Sequence, residues 1–208
     1  MIVKSKVAVL VAEFIGTFAL TMAVLSMLTN GGDLFQTAAA AGLTLALMVL
    51  VIGPVSGAHI NSAVTLGLWS IRKVETAQAF AYWGAQFLGA VAAWLLVESS
   101  RDSSLPAIAG SGYDSSVMIA ELVGTMVFVF GIAAAVNRKY EGGQLAATVG
   151  GSLSIGILIA AALGSNAVLN PAVALGIQSW SWTYALAPLV GAVVGANIYR
   201  GWFATSSK

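Results

Sequence analysis

Six stretches of this chain are apolar for about the length that a bilayer demands. They run over roughly 7–28, 36–54, 77–98, 115–136, 145–163 and 183–203, and a crossing helix needs about 20 mostly apolar residues. Two further apolar pieces, about 61–70 and 170–178, are too short to cross. Segments of that length read as re-entrant, and irregular backbone at membrane depth is tolerated only where it is buried in protein or lines a wet cavity. The pattern predicts an all-α membrane protein: six transmembrane helices plus two re-entrant half-helices, in one domain over residues 1–208. The first stretch, "MIVKSKVAVLVAEFIGTFAL", starts basic and then turns apolar like a signal peptide. Its run continues to about Leu28, however, so it is expected to be kept as the first span.

Composition agrees with lipid as the main solvent. Hydrophobic residues make up 59% of the 208 and charged ones 8%, against roughly a quarter charged in a soluble domain. The 23 glycines suit helices that approach closely in a bilayer. Cysteine is absent, which excludes disulfides, thiolate metal sites and a cysteine nucleophile. A net charge of +1 gives no reason to expect nucleic acid as a partner.

The few charges bear on orientation. Lys4, Lys6, Arg72, Lys73, Arg138, Lys139, Arg200 and Lys208 fall on one side if both termini are cytoplasmic and each half-helix returns to its own face. Arg101 is then outside, with Asp33, Glu98, Asp102 and Asp114. The positive-inside rule favours this topology. Short loops and the lack of a transit peptide point to a plasma membrane or prokaryotic inner membrane. Trp69, Trp94, Trp180, Trp182 and Trp202 fall near span ends, where aromatic belts anchor membrane proteins.

The pattern also repeats. "AEFIGTFAL" at Ala12–Leu20 returns as "AELVGTMVF" at Ala120–Phe128, and "SGAHINSAVTLG" at Ser56–Gly67 is echoed by "GSNAVLNPAVALG" at Gly164–Gly176. Glu121 lies 108 positions after Glu13, and Asn170 lies 109 after Asn61. One nearly constant offset marks a duplicated unit, with repeat one over about 7–98 and repeat two over about 115–203. Three spans per unit is an odd number, so the second copy is inserted upside down. Such inverted repeats place a substrate path at their interface near the midplane.

In that arrangement the two half-helices bring their N-termini together at the bilayer centre. Asn61 and Asn170 suit the N-cap, where the side-chain oxygen accepts from exposed backbone N–H groups and the NH₂ is left to face the lumen as a donor. Pro171 suits the first helical position, and each terminus carries a partial positive charge of about half an electron. The expected midplane comprises Asn61, Ser62 and Ala63 with Asn170, Pro171 and Ala172. Neutral molecules with oxygen acceptors can pass such a point, while cations and protons meet a barrier. Upstream, Gly57, Ala58, His59 and Ile60, and Asn166, Ala167, Val168 and Leu169, are expected to be extended, with carbonyls lining the path.

These motifs together resemble the aquaporin, or major intrinsic protein, family. The likeness rests on Ala-Glu-Phe-x-Gly-Thr at the start of the first half, Ser-Gly-Ala-His-x-Asn before the first half-helix and Ala-Gln-x-x-Gly-Ala at Ala85–Ala90. Asn-Pro-Ala at Asn170–Ala172 and "APLVGAVVGANIYR" at Ala187–Arg200 complete it. The resemblance implies a pore in every protomer, a homotetramer, a small neutral solute such as water or glycerol, and no cofactor. It also implies that Glu13 and Glu121 brace the half-helix loops rather than relay protons, and that His59 acts through its carbonyl and ring. A structural bond in the loop is the other reading of His59, and Gln86 in the third span is read as a loop brace. One histidine is too few for a metal site.

The chain departs from the family in two places. Ser62 stands where the first Asn-Pro-Ala motif has its proline, which the Asn61 cap tolerates. Val173 stands where relatives carry a filter Arg that donates to solute and repels cations. By the ungapped match the filter is Ala41, Leu158, Ala167 and Val173, small and wholly aliphatic. Loss of a ring and a guanidinium widens a passage, yet an apolar ring offers no partners to replace a solute's hydration and can gate by dewetting. Ala174 lacks the acidic residue of glycerol facilitators, and Tyr184-Ala185 matches half of a water channel's aromatic pair. No nucleophile–base pair, phosphate loop or dinucleotide fingerprint appears, so no enzyme is expected. The expected function is a passive channel for water or small uncharged solutes. Its rivals are the same fold carrying glycerol, urea, ammonia or gases, a coupled secondary transporter, and a pore-closed structural member.

Overall fold

The computed structural model describes residues 5–101, 105 and 113–204; Lys4, Asp102 and Lys208, used above for orientation, lie outside them. The described residues form nine helices and no strand: α1 (Lys6–Thr29), α2 (Leu34–Val51), α3 (Gly53–Ser56), α4 (Ser62–Ser70), α5 (Thr76–Ser99), α6 (Ser115–Asn137), α7 (Gly142–Ala162), α8 (Pro171–Gly176) and α9 (Trp182–Trp202). Six of them, α1, α2, α5, α6, α7 and α9, are long and apolar enough to cross a membrane. Several starts carry the side-chain caps that helix ends require. Ser5 accepts from Ala8 N, Asp33 forms a reciprocal capping box with Gln36, and Asp114 accepts from Ser116 N and Val117 N.

The predicted second span ran to residue 54, but α2 ends at Val51 and α3 is a separate turn. Pro54 explains the break, since it has no N–H to give the Leu50 carbonyl, its ring crowds that carbonyl, and it fits only the first turn of a new helix. The half-helices α4 and α8 fall within the two short apolar pieces.

Packing repeats with the sequence. α1 lies against α2 and α5, as α6 lies against α7 and α9; α2 meets α7 across the middle; α4 rests on α9 as α8 rests on α5. The chain thus forms two three-span units, each supporting the other's half-helix. Two glycines make that exchange possible. A Cβ on Gly67 of α4 would sit 2.9 Å from the Ala192 carbonyl oxygen, and one on Gly176 of α8 would sit 2.7 Å from that of Ala90. Only glycine allows backbones this close.

Burial is the reverse of a soluble protein's. Leu43, Phe80 and Ile119 stand exposed, while Glu13, Thr17, Gln86, Glu121 and Thr125 are buried. Trp69, Trp180, Trp182 and Trp202 are exposed near helix ends. Trp94 is different: it packs against the core, and its Nε1 is buried with no partner among the described residues. It lies more than a turn inside α5 on the inward face, so it is core and not an interfacial anchor.

Candidate functional site

The site is built where α4 and α8 meet. Asn61 caps α4 with an extended backbone (φ −154°, ψ 124°), and its Oδ1 accepts from Ala63 N at 2.8 Å and Val64 N at 3.2 Å. Asn170 caps α8 in the same way (φ −151°, ψ 107°), accepting from Ala172 N at 3.1 Å and Val173 N at 3.5 Å. The amide groups are not simply left to the lumen, as the sequence suggested. Asn61 Nδ2 donates to the Leu169 carbonyl at 2.9 Å, and Asn170 Nδ2 donates to the Ile60 carbonyl at 3.0 Å. Each amide spends one hydrogen on the opposite loop and keeps one. The two loops are therefore tied to each other by the residues that cap them.

A buried carboxylate holds each loop. Glu13 Oε1 accepts from Ser56 Oγ at 2.7 Å and His59 N at 2.9 Å, and Oε2 from Ile60 N at 2.7 Å and Gln86 Nε2 at 2.9 Å. Glu121 Oε1 accepts from Ser165 Oγ and from Val168 N at 2.9 Å, and Oε2 from Leu169 N at 2.7 Å. Both carboxylates are fully buried, and the donors gathered round them supply what water would otherwise give.

The loops are not extended as expected. φ is positive at Gly57 (93°), Ala58 (49°) and Ile60 (41°), and again at Ala167 (56°) and Leu169 (53°). Left-handed backbone in residues with a Cβ costs on the order of 1 kcal/mol or more each and persists only where the surroundings impose it. Here the carboxylates impose it, by drawing successive N–H groups inward. The carbonyls of Gly57, Ala58, His59, Ala167 and Val168 accept no hydrogen bond among the described residues.

Around the first loop lies a polar cluster of His59, Thr65 and Gln86, whose matching positions in the second repeat are Val168, Ala174 and Pro188. His59 Nδ1 is 3.1 Å from Thr65 Oγ1, which also takes a hydrogen bond from Gln86 Nε2 at 3.0 Å and gives its own hydrogen to the Asn61 carbonyl at 3.1 Å. With that hydrogen used, the network assigns the ring proton to Nδ1, leaving Nε2 as an acceptor. The imidazole meets Tyr82 edge-on at 5.1 Å, and the tyrosine hydroxyl donates to the Ser56 carbonyl at 2.6 Å.

Two cavities lie along the two loops, and the paired asparagines line the first. One, of about 40 Å³, is lined by Ala41, Asn61, Asn166, Ala167, Val168, Asn170 and Val173, with Thr37 and aliphatic residues of α1 and α7. The other, of about 250 Å³, is lined by Gly57, Ala58, His59, Val64 and Lys73, with aliphatic residues of α2, α6 and α7. Three of the four aliphatic positions singled out from the sequence, Ala41, Ala167 and Val173, meet in the first. Leu158 does not. Ile157 lines that cavity, and one residue along a helix turns the side chain by about 100°, which leaves Leu158 packed against the core. Ser62, Ala63, Pro171 and Ala172 are buried and line neither cavity, so of the six midplane residues only the asparagines reach it. Ile60 and Leu169 are also fully buried and contribute through their carbonyls. The lining residues of α1, α6 and α7 were missed in the sequence, although they occur as aliphatic pairs four residues apart that recur at the offset of the repeat.

Comparison with known proteins agrees with this fold. The sequence model of the family described as "Major intrinsic protein" matches residues 3–199. The chain is 33% identical to Aquaporin NIP1-1 of Oryza sativa subsp. japonica, over 92% of this chain and 72% of that protein. It is 30% identical to Aquaporin Z of Brucella melitensis biotype 1, over 91% and 95%. Among solved structures, the aquaglyceroporin from Plasmodium falciparum superposes with a TM-score of 0.79 at 25% identity, covering 95% of this chain and 97% of that one.

Proposed function

The chain belongs to the major intrinsic protein family, a family of passive membrane channels for water or small solutes, and on that premise we propose that its own pore passes small uncharged molecules and excludes ions and protons. The carrying observation is the pair of cross-bonded asparagines that line the smaller cavity. Each keeps one amide hydrogen aimed from a helix N-terminus, so a solute oxygen finds two donors where a cation finds partial positive charge. The free carbonyls on either side replace the water that a donor solute gives up. Ala41, Ala167 and Val173, with Ile157, form the narrow filter, and no charged side chain lines it.

That aliphatic filter supports a second reading: a channel that favours glycerol, urea, ammonia or a dissolved gas, with little water flux. An uncharged apolar passage gives water few partners and lets less hydrated solutes through. The two readings separate in one experiment. Proteoliposomes are challenged in a stopped-flow light-scattering instrument with an impermeant osmolyte, then with glycerol and with urea. Water shrinkage well above that of empty vesicles supports the first; solute-driven reswelling without it supports the second. Flux that follows an ion gradient, or no flux of any kind, sinks both.

By family resemblance the channel works as a homotetramer. The clustering of Lys6, Arg72, Lys73, Arg138, Lys139 and Arg200 supports cytoplasmic termini in a plasma or prokaryotic inner membrane.

A further inference from the structure

The turn from α4 to α5 carries a groove in two parts. The polar part, of about 760 Å³, is lined by Trp69, Arg72, Lys73, Glu75, Thr76 and Gln78. The apolar part, of about 120 Å³, is lined by Leu66, Trp69, Thr76, Ala79, Phe80 and Trp83. Trp69 and Thr76 belong to both, and Trp69 Nε1 donates to Thr76 Oγ1 at 3.0 Å, which holds the indole as a shared wall. Phe80 is exposed and meets Trp83 edge-on at 5.7 Å.

Depth and chemistry run in the same direction along this groove. Arg72 and Lys73 lie in the turn at the membrane edge. From Thr76 to Trp83 the rise along α5 is about 10 Å, which takes the apolar part into the hydrocarbon. The edge carries two cations against one carboxylate, Glu75. The backbone N–H groups at the start of α5 receive no side-chain cap bond, and their partial positive charge offsets part of the Glu75 carboxylate. A basic recess at headgroup level above an apolar trough fits one kind of molecule. A soluble anion has no use for the trough, and a zwitterionic lipid gains little from the cations.

We propose that this groove holds one anionic phospholipid, its phosphate at Arg72 and Lys73 and one acyl chain along Leu66, Phe80 and Trp83. Lys73 also lines the larger pore cavity, so the lipid phosphate and the pore mouth share a cation.

The test is a titration of the full-length protein in detergent with phosphatidylglycerol and with phosphatidylcholine of the same chains, read by native mass spectrometry. Phosphatidylglycerol binds about tenfold tighter, as two basic groups near a lipid headgroup allow. Arg72→Gln with Lys73→Gln brings the two lipids within about twofold. Arg138→Gln with Lys139→Gln, on the next basic turn, leaves the preference in place. Phe80→Ala, an exposed change that spares the fold, weakens both lipids and keeps the preference. The proposal is overturned by equal binding of the two lipids to the unaltered protein, or by a preference that survives Arg72→Gln with Lys73→Gln. It is also overturned if Arg138→Gln with Lys139→Gln abolishes the preference equally, or if glycerol phosphate competes as well as the intact lipid.

Discussion

The two cavities along the half-helix loops are lined by the same frame, used twice. Val24 and Leu28 of α1 face the smaller one, and Ile132 and Val136 of α6, each 108 positions on, face the larger. Thr37 and Ala41 of α2 correspond to Leu145 and Val149 of α7, and Leu45 and Val49 to Leu153 and Ile157. Val64 and Leu68 of the first half-helix correspond to Val173 and Ile177 of the second. Against this shared frame the differences are few. The larger cavity has His59 and Lys73; the smaller has Val168 in the place of His59 and no charged lining residue. The carboxylate cradles differ in the same sense. Glu13 is joined by Gln86 and, through it, by Thr65, whereas the matching positions near Glu121 are Pro188, in "APLVGA" against "AQFLGA", and Ala174. Duplication supplies the path, and a few substitutions in one copy give its two ends different chemistry.

The largest effect is expected from removing the cradles. Glu13→Ala leaves the Ser56 hydroxyl, the His59 and Ile60 N–H groups and the Gln86 amide without their acceptor. Each orphaned buried group costs about 1–3 kcal/mol, so the loss is several kcal/mol, and folded protein and flux should both fall sharply. Glu121→Ala orphans Ser165, Val168 and Leu169 but no glutamine, and should be the milder change. Thermal unfolding of the detergent-solubilised variants measures this, and a lower midpoint for Glu121→Ala than for Glu13→Ala would contradict the comparison.

A smaller effect follows from placing one side chain at the two equivalent valines. Val173→Arg puts a guanidinium into about 40 Å³, and Val64→Arg puts it into about 250 Å³. The first should lower solute permeability by roughly tenfold by filling most of that small volume, and tighten cation exclusion. The second should change permeability no more than about threefold, because the larger cavity leaves room beside the arginine. Reswelling rates with glycerol and urea decide it; equal effects would mean that Val173 does not stand at the constriction. On α7, Ile157→Trp should block the same passage while Leu158→Trp leaves flux within about twofold, since only the first side chain enters the cavity.

The span count, the half-helices and the duplicated frame are legible in the sequence because each rests on length or on a repeated motif. Span length reflects the bilayer, and the offset from Glu13 to Glu121 survives any local variation. What was not legible depends on rotation and on exchange between the copies. Leu158 and Ile157 are both aliphatic, and no property of either says which faces the cavity; only the pairing with Val49 through the repeat does. The destination of the asparagine amides was hidden as well, because Asn61 bonds the Leu169 carbonyl, 108 residues away. Trp94 misled for a related reason, as proximity to a helix end says nothing about which side a ring faces. The left-handed residues of the loops are set by a carboxylate on another helix, and local sequence carries no sign of that.

The smallest effect is expected where the two motifs themselves differ. Ser62 and Pro171 hold the same first helical position, 109 residues apart. Asn61 already has the extended backbone that a following proline demands, and the first backbone bond of α4 runs from Thr65 N to the Asn61 carbonyl, without the Ser62 N–H. The Ser62 hydroxyl is buried with no partner among the described residues. Ser62→Pro therefore removes an unsatisfied group and restricts the unfolded chain, at a position whose conformation proline accepts. It should stabilise by about 0.5–1 kcal/mol, raising the unfolding midpoint by about 2 °C and leaving water flux within about twofold. The reverse change, Pro171→Ser, adds a buried hydroxyl to the second motif and should lower the midpoint by a similar amount. If Ser62→Pro lowers the midpoint instead, the serine hydroxyl has a role in the first loop that its buried surroundings do not reveal, and the two motifs are not interchangeable at that position.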